Sequence, residues 1–213
     1  MDAGEITKIT QIGSNYSMTV SNLSETIIIS AEVLNRYRLK AGTMLTESQL
    51  EILLSEAELS QCDQAAARIL GIRHHSISEL RIKLKKKSYS SQAVEKVVKK
   101  YSKSGLLDDS HFAANWVRRK IERKPMGRSH LIAHLCKKGI DRTIAETAVE
   151  LILGETDELD IAVQALRKRW NSLRRFDIEQ ARKKAYTYLS NRGIGYASAR
   201  DAFDLLQKES DEE

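Results

Sequence analysis

His130 and His134 stand four residues apart, one turn of a helix, and two imidazoles at that spacing form a metal-ligand pair. Position 131 is Leu, so the HExxH arrangement of a metalloprotease is absent, and no Cys or carboxylate follows at an interval that completes a zinc cage. On a helical wheel both histidines fall beside Lys137, on the polar side of Leu131 and Leu135, and they read as surface histidines. Asp108-Asp109 has the makings of a general acid/base pair or of Mg²⁺ ligands. The pair stands at a helix start, however, where carboxylates accept backbone N–H bonds and complement the helix dipole, and capping is the reading adopted. The chain has no GxxxxGK[ST] loop, no GxGxxG and no GxSxG. No catalytic residue, metal or cofactor is therefore expected. Trp116 and Trp170 match helix-face core positions rather than base-stacking platforms.

The elements around these residues repeat. Leu80-x-x-x-Leu84-x-x-x-Ser88-Tyr89 recurs as Leu131-x-x-x-Leu135-x-x-x-Gly139-Ile140 and as Ala185-x-x-x-Leu189-x-x-x-Gly193-Ile194, at offsets of 51 and 54 residues. Upstream, Ala65, Ala66, Ile69, Leu70 and His74 correspond to Phe112, Ala113, Trp116, Val117 and Ile121, and to Ile161, Ala162, Ala165, Leu166 and Trp170. Downstream, Val94/Val97/Val98 corresponds to Ala145/Ala148/Val149 and to Ala199/Ala202/Phe203. Spacings of three and four place these residues on one helical face, so each unit reads as three helices with its own small core. A period of this length marks stacked supersecondary units, which form extended binding surfaces more readily than a single cleft. Gly139 and Gly193 are suited to the left-handed residue that ends a helix. Asp109 or Ser110 is expected to cap the helix entering Phe112, and Asp141 the helix after Ile140. Pro125, the one proline, sits in the turn Arg123-Lys124-Pro125-Met126-Gly127.

Residues 5–12, 16–21 and 25–30 are rich in Ile, Thr and Val and are separated by Gly13-Ser14-Asn15 and Asn22-Leu23-Ser24, which predicts about three antiparallel strands. Val33, Leu34 and Tyr37 suggest a short helix, and Thr46 with Gln49 has capping-box spacing before Leu50, Leu53 and Leu54. The expected fold is mainly α: three tandem three-helix repeats in an elongated curved rod, with a small N-terminal β-rich extension. The expected domains are a β-rich extension (1–45), a connecting helix (46–60), repeats at 61–107, 108–156 and 157–208, and an acidic tail at 209–213. A hydrophobic share of 41% allows modest cores, and the longest aliphatic run, residues 27–29, is too short for a span. With no basic and apolar leader pattern, a soluble cytoplasmic protein is expected, with Cys62 and Cys136 as two reduced thiols.

Charge is unevenly spread. Residues 1–67 carry 4 Lys/Arg against 9 Asp/Glu, residues 68–140 carry 19 against 5, and residues 141–213 carry 12 against 15. The central balance of +14 is the footprint of a polyanionic or acidic partner. Chosen from charge clustering alone, the expected contact residues are Arg81, Lys83, Lys86, Lys87, Lys96, Lys99 and Lys100 in the first repeat. In the second they are Arg118, Arg119, Arg123, Lys124, Arg128, Lys137 and Lys138. One reading is an autonomous DNA-binding protein whose three-helix units act as helix-turn-helix readers. Its units present mainly lysines, which position a protein on phosphate rather than read bases. Another is a metal-dependent nuclease built on Asp108/Asp109 or the histidine pair.

The segment Gly105-Leu-Leu-Asp-Asp-Ser-His-Phe-Ala-Ala-Asn-Trp116-Val-Arg-Arg119 resembles the signature of the RecX family of recombinase regulators. So do Arg123-Lys-Pro-Met-Gly127 followed by Leu131-x-x-x-Leu135-x-x-Lys138-Gly139, the earlier Ser78-Glu-Leu-Arg-x-Lys-Leu84 and the later Tyr188-Leu-x-x-Arg192-Gly193. The resemblance covers about residues 60–207. Leu34-Asn-Arg-Tyr37-x-Leu39-Lys-x-Gly42 looks like the extension of RecX proteins from low-GC Gram-positive bacteria. Ser88 departs from the glycine of the other two copies, which puts the end of that helix in question. The resemblance implies a monomeric, membrane-independent protein that binds RecA or the RecA–single-stranded-DNA filament. It would lie in the filament groove, with possible direct DNA contact, and inhibit ATP hydrolysis and strand exchange without chemistry of its own. It would thereby modulate homologous recombination, DNA repair and the SOS response.

Overall fold

The computed structural model describes residues 2–154 and 156–211; of the acidic tail, residues 212 and 213 lie outside the described residues. The chain divides into two compact units, Met1–Leu107 and Asp108–Glu213.

The first unit opens with strands β1 (Asp2–Ile12), β2 (Asn15–Val20) and β3 (Ile27–Ser30), then helix α1 (Ala31–Arg36) and strand β4 (Met44–Thr46). The sheet is antiparallel in the order β3-β2-β1-β4. Pairing of Ile12 with Asn15 closes a two-residue hairpin in which Gly13 takes a left-handed φ of 60°. Strand β4 adds a fourth strand to the three expected. It is only three residues long and has too few positions to show alternation.

Helix α2 (Glu47–Ile72) begins with the expected capping box: Gln49 N–H donates to Thr46 Oγ1 (3.3 Å) and Thr46 N–H donates to Gln49 Oε1 (2.9 Å). It runs without a break through residues 60 and 61. Its N-terminal half buries Leu53 and Ala57 against Ile6, Met18, Ile29 and Val33 of the sheet and α1. Its C-terminal half buries Cys62, Ala65 and Ala66 against helices α3 (Ile77–Lys85) and α4 (Ser91–Lys103). One helix thus serves two cores. Burial in the second raises the Cys62 thiol pKa to about 11, which keeps it protonated.

The second unit holds α5 (Asp109–Arg123), α6 (Arg128–Lys137), α7 (Arg142–Leu153), α8 (Glu158–Arg167), α9 (Trp170–Leu173), α10 (Ile178–Ser190) and α11 (Tyr196–Asp211). Asp108, rather than Asp109 or Ser110, caps α5; its Oδ1 accepts from the N–H groups of Ser110 (2.8 Å) and His111 (3.0 Å). Asp141 caps α7 as expected. The expected break-free first helix of the last repeat is interrupted after Arg167, and Trp170 starts the separate short turn α9.

The repeat pattern marks the deepest core. Leu84, Leu135 and Leu189 are each fully buried, as are Ala66, Ala113 and Ala162. Two or three residues after the end of each middle helix the chain turns left-handed, at Ser88 (φ 65°), Gly139 (77°) and Gly193 (71°). Ser88 therefore does the work of a glycine, against the steric preference of an L-residue. The expectation of a separate small core in every repeat is corrected in the second unit. There Leu131, Leu135, Leu166, Leu189 and Phe203 belong to one continuous cluster, because the second and third repeats pack directly on each other.

Candidate cation-rich binding surfaces

In the first unit the cations project from α3, from the turn after it and from the outer face of α4. The seryl caps of α3 and α4, Ser76 and Ser90, fix where those helices begin. The 3.6-residue period then turns Val94, Val97, Val98 and Tyr101 inward and Lys96, Lys99, Lys100 and Lys103 outward. Lys86, Lys87, Lys96 and Lys99 are exposed and form no ion pair with the described residues. The other three selected cations have partners. Arg81 holds Glu95 through two 2.8 Å bonds, lowering that carboxyl's pKa. Lys100 donates to Asp63 at 2.7 Å, which raises the ammonium pKa. Lys83 donates to Nε2 of buried His75 (2.8 Å) while His75 Nδ1 faces the Arg73 carbonyl (2.8 Å). Burial first, then the neighbouring cations, lowers the His75 pKa, and the neutral ring accepts from Lys83.

In the second unit Arg118, Arg119, Arg123 and Lys124 lie exposed on α5 and its end, Arg128 and Lys137 are exposed on α6, and Lys138 is half-buried just beyond it. Arg118 donates to Asn115 (3.0 Å), and Lys138 Nζ lies 5.9 Å from the Phe112 ring centre. Arg128 is tied to Glu150 and donates to the Leu153 carbonyl (2.8 Å), so it is held against α7. His134 packs 6.0 Å from the half-buried Trp116 ring, over which Lys120 sits at 5.5 Å. Burial first, then the nearby Lys120, Lys137, His130 and Lys124, lowers the His134 pKa. Among the described residues no cluster of three or more His, Cys, Asp or Glu side chains is placed to hold a metal ion, and none of the helices is long and apolar enough to cross a membrane.

The most specific sequence motifs occupy a seam rather than a binding face. Gly127 N–H donates to the Arg192 carbonyl (2.8 Å), and the Arg192 guanidinium donates to the Pro125 carbonyl (2.8 Å). A Cβ on Gly127 would sit 1.9 Å from the Gly193 carbonyl oxygen, and a Cβ on Gly193 2.0 Å from His130 Nδ1. His130 is thus packed over Gly193 instead of being paired with His134 in a metal site. Lys168 spans the same two repeats, donating to the Glu122 carbonyl (2.9 Å).

One basic cluster escaped the sequence reading. Residues 167–184 contain eight Lys/Arg and two Asp/Glu, a local excess concealed by the acidic balance of residues 141–213 as a whole. A shorter counting window reveals it.

Three-helix units, each with a left-handed residue shortly after its middle helix, make this a helical-repeat protein. Residues 64–100 match the first three-helix domain of RecX and residues 108–149 the second. The regulatory protein RecX of Pelodictyon phaeoclathratiforme is 38% identical over 141 residues, covering 66% of this chain and 86% of that one. The regulatory protein RecX of Lactococcus lactis subsp. lactis is 25% identical over 214 residues, 99% of this chain and 79% of its own length, so that alignment takes in the N-terminal sheet. A crystal structure of regulatory protein RecX superposes with a TM-score of 0.69 at 22% identity over 94% of this chain and 99% of that one. The chain belongs to the RecX family of regulatory proteins.

Proposed function

We propose that the protein binds the RecA–single-stranded-DNA filament and inhibits RecA-catalysed ATP hydrolysis and strand exchange by binding alone. The observation that carries this reading is the set Lys86, Lys87, Lys96 and Lys99: four exposed cations without ion-pair partners among the described residues, on a scaffold whose relatives are regulatory proteins. Cations without ion pairs, two in the turn after α3 and two on α4, attract an acidic or phosphate-bearing surface and make association salt-dependent. A repeat protein that contacts more than one filament subunit gains affinity from linked weak contacts. It shifts the filament only to the extent that it prefers one filament state over another. The proposed role needs no reaction on the protein itself: Asp108 acts as a helix cap, and the sequence has no phosphate-binding loop.

The test is equilibrium binding to RecA, free and assembled on single-stranded DNA. Tighter binding to the filament is expected, with loss of affinity and a flatter salt dependence when Lys86, Lys87, Lys96 and Lys99 are all changed to Ala. Equal affinity of wild type and quadruple variant, in a folded protein, would remove this surface from the interaction.

A further inference from the structure

The third repeat carries a groove of about 730 Å³ between α9, the loop after it and α10. Its lining includes Arg169, Lys183 and Lys184 and no carboxylate. None of these three cations, nor Arg174 or Arg175 in the adjoining loop, forms an ion pair with the described residues, whereas Arg167 and Arg182 of the same stretch are engaged by Glu209 (2.9 Å) and Asp204 (3.7 Å). Three cations of this segment without ion pairs, Arg169, Lys183 and Lys184, thus line the groove together. Two aromatic rings stand among them. Tyr188 is covered by the guanidinium groups of Arg169 (5.0 Å) and Arg192 (4.4 Å), and its hydroxyl donates to the Ala165 carbonyl (3.4 Å). That ring is fixed and occupied; it holds Arg169 in place. Phe176 is different. It is 44% exposed, and Lys184 Nζ sits 4.4 Å from its centre. Lys184 is held at this ring as Arg192 is at Tyr188, but among the described residues Phe176 has no second cation over it and keeps part of its surface open to a ligand.

A groove lined by cations without ion pairs, by no acid and by a partly exposed aromatic ring selects a ligand that is both anionic and flat-ringed. An acidic peptide would satisfy the cations and leave Phe176 in water. A single-stranded nucleic acid satisfies both, with phosphates on Lys183, Lys184 and Arg169 and a base stacked on the ring. The geometry points to this groove as a direct binding site for single-stranded nucleic acid, with Phe176 as the stacking platform. This inference goes beyond the filament-regulator reading and does not depend on it, since contact with the strand requires no RecA.

The experiment uses the full chain, a fluorescein-labelled oligothymidylate of about 12 nucleotides, within the usual site size of such grooves, and labelled heparin, a polyanion without flat bases. Anisotropy titrations without RecA compare wild type, Phe176→Ala and the double variant Lys183→Ala/Lys184→Ala. Phe176→Ala is expected to weaken oligonucleotide binding about tenfold, as the loss of one stacked base would, and to leave heparin binding unchanged. The double lysine variant, altered only at exposed positions, is expected to weaken both ligands and to reduce the log–log salt slope on the oligonucleotide by about 1.4. Wild-type oligonucleotide affinity in either variant would overturn the proposal. So would equal losses on oligonucleotide and heparin in Phe176→Ala, or tighter wild-type binding of polyglutamate than of the oligonucleotide, which would assign the groove to an acidic protein surface.

Discussion

In the first unit, α2 leaves its N-terminal half on a β-sheet and lends only its C-terminal half to a three-helix core. In the second unit, two repeats press Gly127 against Gly193 and pool their apolar faces in a single cluster. The same repeat pattern is therefore stabilised in two ways. A lone three-helix repeat of about 45 residues is at the size where one core is marginal. The first repeat is completed by sharing a helix with the sheet, and the second and third complete each other. The difference also divides the chemistry. Gly127, Gly193 and Arg192 are engaged in packing, whereas Lys96 and Lys99 of α4 and Lys183 and Lys184 of α10 are exposed and form no ion pair with the described residues.

Both tryptophans, Trp116 and Trp170, lie in the second unit, so their fluorescence follows that unit alone. Leu135→Ala removes a fully buried side chain there and should cost about 2–5 kcal/mol in the fluorescence-detected urea transition. Leu84→Ala, equally buried in the first unit, should lower stability measured by far-ultraviolet circular dichroism while leaving the tryptophan transition in place. A matching shift of the tryptophan midpoint by Leu84→Ala would show that the units unfold as one, and the comparison would break.

Gly127→Ala probes the seam. The new methyl would meet backbone, not a flexible side chain, so the two repeats must separate or the turn must distort. The expected cost is about 1–3 kcal/mol, again in the tryptophan signal. A variant as stable as wild type would mean that the second and third repeats do not depend on this close approach.

Ser88→Gly should produce the smallest effect. It relieves a left-handed serine, worth about 1–2 kcal/mol, against the greater entropy that glycine loses on folding, about 0.5–1 kcal/mol. A gain of about 0.5 kcal/mol is the balance of those two terms, read by circular dichroism of the first unit. A loss of stability would show that the serine side chain contributes something at that turn beyond tolerating its conformation.

Much of this architecture is legible in the residues. The 51- and 54-residue offsets align Leu84, Leu135 and Leu189, offsets of 47 and 49 align Ala66, Ala113 and Ala162, and all six prove fully buried; the capping box at Thr46 and the cap at Asp141 follow from local side-chain chemistry. Strand β4 is not legible, because three residues carry no period and their pairing with β1 is fixed by tertiary packing. The pooled core of the second unit is equally hidden: a helical wheel shows which face is apolar, never which helix will cover it. The groove around Phe176 was obscured for a different reason. Its cations sit in a segment whose acids dominate the count over 73 residues, and only folding separates the engaged cations from the free ones.

The proposed function of this chain is to occupy a RecA–DNA filament and perform no reaction. The most direct measurement is ATP hydrolysis by the cognate RecA on single-stranded DNA, with the protein added at fewer molecules than RecA subunits. Inhibition is expected at that ratio. It should persist in a folded Asp108→Ala protein and weaken in the Lys86/Lys87/Lys96/Lys99→Ala variant. An unchanged rate of hydrolysis with the intact protein, or inhibition abolished by Asp108→Ala alone in a folded chain, would contradict it.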